Sequence, residues 1–162
     1  MKKFNILISI LLLIMPGMSL TVNAQSGKVP PFQIIQPDKK LFRASDLPLG
    51  KPIIIVYFSP ECEDCQEFTK ELLGRMNDFK DVSIVMITFL SVESVTQFAT
   101  DFKLNNYSNI YIGTEGASFF IRSYYNIATI PFLALYSKDG DLIKAYRGKI
   151  DLNDLSAFIN AL

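Results

Sequence analysis

The run "IIIVYF" at residues 53–58, followed almost at once by "CEDC" at 62–65, constrains this chain more than any other stretch. Six consecutive apolar residues, rich in β-branched side chains, suit a strand covered on both faces. From Cys62 the pattern changes. Cys65, Phe68, Leu72, Met76 and Phe79 recur at steps of three and four, with Glu63, Asp64, Glu67, Lys70 and Glu71 largely elsewhere. That period predicts an amphipathic helix opening at the cysteines. A buried strand feeding a helix at its carboxyl end is the place where α/β sheets put their sites.

The rest of the pattern extends this unit into one α/β domain. "FQII" (32–35) and "KLFRA" (40–44), separated by "QPDK", predict a β-hairpin. A second buried strand is expected over 81–89, a helix over 92–104, a short strand over 109–113 and a helix over 116–127. The aromatics of "FFIRSYY" (119–125) fall near helical spacing, so they are read as helix core rather than as the lining of a groove. Strand-like runs at 131–137 and 142–148 flank "KDGD", whose Asp139-Gly140 predicts a hairpin turn, and Asp151 is the expected N-cap of a closing helix. The order β-β-β-α-β-α-β-α-β-β-α gives a mixed central sheet flanked by helices, with an N-terminal β-hairpin extension.

Ahead of this domain, Lys2 and Lys3 precede "ILISILLLIM", "PGMSL" breaks any helix, and Val22-Asn23-Ala24 supplies small residues for cleavage. Residues 1–24 are therefore expected to be a signal peptide, with an uncleaved membrane anchor as the alternative. Residues 25–31 form a Gly/Pro-rich flexible lead-in, and 32–162 the domain itself. The expected destination is periplasmic or extracellular, where disulfides persist. Without the two leader lysines the basic count falls to 14 against 16 acids, and no long basic run appears, so nucleic acid is not an expected partner.

The chain has no histidine, which excludes a Ser-His-Asp triad, a Cys-His dyad and any imidazole metal ligand. Cys62 and Cys65 are its only cysteines. At positions i and i+3 of a helix start they lie about 5–6 Å apart, a Cα separation that a disulfide accepts. Three readings compete. A metal site is short of ligands and would need carboxylates or a second subunit, so no metal and no other cofactor is expected. A structural bridge would span only two residues and remove little entropy from the unfolded chain. A redox couple fits the position best: Cys62 is accessible beside unsatisfied helix N–H groups, and Cys65 sits one turn deeper on the apolar stripe.

Three stretches, "GKPIIIVYFSPECEDC", "YYNIATIPFLALYSKDG" and "LIKAYRGKIDLNDLSAFI", resemble the thioredoxin-fold proteins. They are most similar to the exported thiol–disulfide oxidoreductases of bacterial envelopes, the TlpA-like and cytochrome-maturation branch, over about residue 32 to the C-terminus. The resemblance implies a thioredoxin-like fold and a redox-active Cys62–Cys65 disulfide. Cys62 would attack a client disulfide and Cys65 would resolve the mixed disulfide. Pro131 would be a cis-proline shaping the groove, and the backbone of Ile130 would pair with the client chain. The implied partners are disulfide-bearing client proteins and a separate electron-donor protein in the envelope.

This chain departs from the family at several positions. Glu61 replaces a frequent Trp, Asp64 a frequent Pro, and Val56 the buried Asp of thioredoxin itself, whereas Glu63 is shared with some cytochrome-maturation relatives. Two alternatives stand beside the oxidoreductase. One is a non-catalytic thioredoxin-fold binding module. The other is a peroxiredoxin-like peroxidase, for which Ser59 could supply a hydroxyl although Ile55 stands where a proline is required. Glu61, Glu63 and Asp64 are expected to tune the thiol. A helix-start half-charge ~4 Å from Cys62, at a dielectric of ~40, favours the thiolate by about 1 kcal/mol, and one carboxylate at ~7 Å opposes it by a similar amount. A thiolate with so little net support favours reduction or isomerisation over oxidation.

Overall fold

The structure, a computed structural model, describes residues 27–162; the expected signal peptide lies outside the described residues. The run that opened the sequence analysis is a strand, Ile53–Tyr57 (β3, after β1 at Gln33–Ile35 and β2 at Leu41–Arg43), in which every residue is buried. The cysteine-bearing helix follows as Glu63–Gly74 (α1). Then come Ser83–Thr88 (β4), Val92–Asp101 (α2), Ile110–Thr114 (β5) and Phe120–Tyr124 (α3). The chain closes with Phe132–Tyr136 (β6), Leu142–Arg147 (β7) and Leu152–Asn160 (α4).

The seven strands form one sheet in the order β2-β1-β5-β4-β3-β6-β7. β3, β4 and β5 run parallel, and β1, β6 and β7 join antiparallel, so the sheet is mixed as expected. The continuous apolar character of β3 follows from its central place between β4 and β6, with a packed layer on each face. Alternate residues of β3 divide between the layers. Ile54 and Val56 pack with Phe68 and Leu72 of α1, Val95 and Phe98 of α2 and Leu155 of α4. Ile53, Ile55 and Tyr57 pack with Phe32, Ile34, Phe42, and Ile121 of α3. Where β1 meets β5, Gly113 allows close approach: a Cβ there would stand 2.8 Å from the Ile35 carbonyl oxygen.

Local signals that the sequence carried in full are met. The β1–β2 and β6–β7 pairs are antiparallel, and the latter turns through Gly140 at φ +79°. Asp151 caps α4 by accepting from the amides of Asn153 (2.8 Å) and Asp154 (3.4 Å). Three helices end or begin elsewhere than expected. α1 stops at Gly74, a poor helix residue, and a 3-10 turn at Met76–Phe79 carries Phe79 into the core. α2 stops short because Lys103 takes a left-handed conformation at φ 54°. α3 spans only five residues, since Gly116 (φ 58°) and Phe119 (φ 45°) are left-handed and break the turn before it. The expectation that 119–125 is all core is corrected accordingly: Ile121 is buried, but Phe119 and Phe120 are 37% and 38% exposed. The lead-in differs as well, because Lys28 bridges to Asp141 and the Val29 amide donates to Gly140 at 3.1 Å.

Candidate active site

The end of β3 turns sharply into α1 through Ser59 and Pro60. The Cys62 amide donates to the Ser59 carbonyl at 3.1 Å, and the Glu61 amide to the Ser59 hydroxyl at 3.3 Å. Gln66, one helical turn after Cys62, donates its side-chain amide to the Pro60 carbonyl at 2.8 Å and ties the turn to the helix. These contacts leave Cys62 as the N-cap residue, with extended backbone at φ −87° and ψ 118°. Its sulfur takes the place of the usual cap oxygen and accepts the Cys65 amide at 3.2 Å. The hydrogen bond that caps α1 is therefore made by the atom that would carry charge as a thiolate.

Both cysteines are free, Cys62 partly accessible and Cys65 buried. Cys65 is 0% exposed and belongs to the apolar layer of Val56, Phe58, Phe68, Leu72 and Leu133. Burial pushes its thiol up to about 12. The hydrogen bond with Cys62 and the charges of Cys62 and Asp64 act in the same direction, against a smaller opposing effect of the Ser59 backbone. Within the helix, the Thr69 hydroxyl donates to the Cys65 carbonyl at 2.8 Å. Val56, at the position where thioredoxin has an acid, is fully buried in this layer.

Pro131 begins the approach to β6 on a cis peptide bond with Ile130, and its carbonyl accepts the Gly148 amide at 2.9 Å. Since Phe132 pairs with Tyr57, Ile130 and Pro131 stand at the same end of the sheet as the cysteine turn. Ile130 is half-buried and touches both packing layers. A cleft of about 260 Å³ runs between Phe68 and Pro131, walled by Asp64, Glu67 and Glu71 of α1 on one side and by Lys149 and Ile150 on the other. Glu61 and Glu63 are exposed around the helix start, outside this cleft.

Thus Cys62, Cys65, Asp64, Ile130 and Pro131 converge at one end of the sheet, flanked by Glu61 and Glu63. Ser59 does not stand free as a peroxidase hydroxyl would; its oxygen accepts the Glu61 amide. Ile55 lies in the opposite packing layer. Sequence reasoning missed Gln66 and Lys149, whose roles depend on contacts at Pro60 and across the cleft. Gln66 had a faint signal in its four-residue spacing from Cys62, and Lys149 had none.

Residues 47–162 match the family model described as a thioredoxin-like domain. No curated protein matches with significance. Among solved structures, a secreted disulfide oxidoreductase of Mycobacterium tuberculosis is similar at 20% identity and a TM-score of 0.67, over 82% of this chain and 96% of its own. An exposed lipoprotein thioredoxin of Streptococcus pneumoniae is similar at 21% and 0.60, over 82% of this chain and 100% of its own. ScoI of Arabidopsis thaliana, solved with copper bound, is similar at 20% and 0.63, over 80% of this chain and 94% of its own.

Proposed function

This chain belongs to the thioredoxin-like family, and from that premise we propose that it is an exported thiol–disulfide oxidoreductase that reduces or isomerises the disulfides of client proteins. The observation that carries the reading is the pairing of a partly accessible sulfur, held by the Cys65 amide in the first turn of α1, with a fully buried thiol three residues on, at the same end of the sheet as Pro131.

The Cys62 thiolate attacks one sulfur of a client disulfide. A bond forms between Cys62 and that sulfur, and the second client sulfur leaves with the electron pair and takes up a proton. Cys65, kept protonated by burial while Cys62 reacts, then attacks the Cys62 sulfur as its proton passes to the departing client sulfur. The first client sulfur leaves as a thiol, and two electrons have passed to the client as the Cys62–Cys65 disulfide closes. Ile130 offers its backbone to the client strand and Pro131 shapes the wall of the groove. Glu61, Glu63 and Asp64 oppose the helix start and keep the couple on its reducing side. A separate donor protein resets the pair.

Export is supported by the apolar leader at 1–24 and by the secreted and surface-exposed neighbours. Among the described residues, no helix is long and apolar enough to cross a membrane.

Cys65→Ser tests the proposal. An exchange enzyme accumulates clients joined covalently through Cys62, released by reductant and absent in Cys62→Ser/Cys65→Ser. A binding module yields no such adducts, and that result would reject the enzyme.

A further inference from the structure

The aromatic segment after β5 carries more exposed apolar surface than its place in the fold requires. Phe119 and Phe120 are each more than a third exposed, at 37% and 38%. Scattered apolar residues on a surface are ordinary, but these two are neighbours and continue into others. The Phe119 ring packs on Phe89, at the end of β4, with centroids 5.8 Å apart. The Arg122 guanidinium lies 5.9 Å from the centre of the Phe89 ring and enters no ion pair among the described residues. Aromatic rings with an unpaired arginine are the composition that dominates protein recognition.

The shelf is held in place. Phe119 adopts a left-handed backbone at φ 45°, costly for a bulky residue. Glu115, almost fully buried, accepts the Ile121 amide at 2.7 Å, and its own amide donates to the Thr88 carbonyl at 2.9 Å. β4 in turn accepts the Phe58 amide at Ile87 (3.0 Å), four residues before Cys62. The shelf and the cysteine turn are thus rungs of one ladder at one end of the sheet. β5 lies two strands from β3, a lateral offset of about 10 Å, and Cys62 and Phe89 belong to opposite packing layers, so a client crosses the end of the sheet between them, a path of about three to six residues of extended chain.

We propose that Phe119, Phe120 and Arg122 form a specificity surface of the redox site, receiving an aromatic side chain and an adjacent carboxylate of the client about three to six residues from its reacting cysteine. This rests on the oxidoreductase reading and names the class of client that reading leaves open. Continuity with the Cys62 end of the sheet makes a client segment the occupant, and the charge of Arg122 selects the carboxylate.

The probes are synthetic peptides with one cysteine joined in a mixed disulfide to thionitrobenzoate. Attack by Cys62 on the peptide sulfur forms the Cys62–peptide bond, and thionitrobenzoate leaves with the electron pair and is counted by its colour. A Phe-Asp pair is stepped from one to six residues on either side of the cysteine, with Ser-Ser as the control. The full reduced protein should react about tenfold faster with Phe-Asp at one position between the third and the sixth than with Ser-Ser. Phe119→Ser/Phe120→Ser should bring that preference below about twofold without slowing the control, and Arg122→Gln should remove only the part due to Asp. Equal rates for all peptides in the unaltered protein would overturn the proposal while leaving the redox reading intact; no colour from any peptide would overturn both. A dimer that Phe119→Ser/Phe120→Ser dissociates, with equal peptide rates, would assign the shelf to a second copy and likewise overturn it.

Discussion

On the face of the sheet covered by α1, α2 and α4, Cys65 lies among Val56, Phe58, Phe68 and Leu72. On the opposite face Tyr125 and Tyr136 share a buried hydrogen bond, and the Tyr57 hydroxyl lies next to Glu115. Both faces are equally dry, yet only the second buries phenols and a carboxylate among the described residues. The difference shows how each face handles a charge. Among the described residues no buried acid or base stands beside Cys65, so burial first, and then the Cys62 hydrogen bond and the charges of Cys62 and Asp64, hold the thiol neutral. Across the sheet, polar groups are tolerated because most of them face one another; there too burial, and then the neighbouring carboxylate, hold the Tyr57 phenol above its ordinary range. Among the described residues, two buried side-chain atoms, the Tyr57 hydroxyl and one Glu115 oxygen, have no hydrogen-bond partner.

The largest test of this contrast is a cavity on the thiol face. Phe79→Ala, at a residue with 0% exposure, should cost about 3–5 kcal/mol in urea unfolding. A much smaller loss would mean that this layer repacks and is not the rigid wall that keeps Cys65 dry.

Next is pH. The Cys65 thiol is raised from an ordinary value of 9.0 to about 12, so above the unfolded value the folded chain holds a proton that the unfolded chain has lost. Stability from this group is complete below about pH 9 and declines as pH rises toward about 12. The reduced protein should lose about 1 kcal/mol per pH unit relative to Cys65→Ala over that window. The tyrosines, raised in the same direction, cancel in the difference. Parallel pH profiles for the two proteins would show that Cys65 is not held neutral.

On the phenol face, two substitutions of identical chemistry should part. Tyr136→Phe strips Tyr125 of its partner and should cost about 1–3 kcal/mol, whereas Tyr57→Phe removes a hydroxyl with no partner and should be neutral or stabilising by up to about 1 kcal/mol. Equal costs would erase the distinction between paired and crowded groups. The smallest effect belongs to Asp151→Ala, about 1 kcal/mol from the lost cap. Since α4 covers only the thiol face, amide exchange should quicken along α4 and leave α3 unchanged.

What could be read from the sequence was local or periodic. β3 announced itself because both its neighbours and both its covering layers are apolar, and the helix at Cys62 because its stripe needs only a 3.6-residue period. The β6–β7 turn and the Asp151 cap are written in two or three adjacent residues each. The convergence of Cys62 with Pro131 was legible through resemblance, since 64 residues lie between Cys65 and Ile130, beyond the reach of any local signal. The errors arose where tertiary context overrode spacing. Nothing in "FFIRSYY" distinguishes the buried Ile121 from the exposed Phe120, because the left-handed Phe119 resets the helical phase. The meeting of Tyr57 and Glu115 depends on strand order, which pairs residues far apart in the chain.

One backbone contact has a consequence beyond the site. β5 would be a bare margin of the sheet, a row of unmatched amides and carbonyls inviting any passing chain, were the β1–β2 hairpin not laid against it. The hairpin seats because Gly113 has no side chain to hold it off, and its outer strand, only Leu41–Arg43, is too short to template much in turn. Resistance to fibril growth along that border therefore hinges on the absence of a single methyl group.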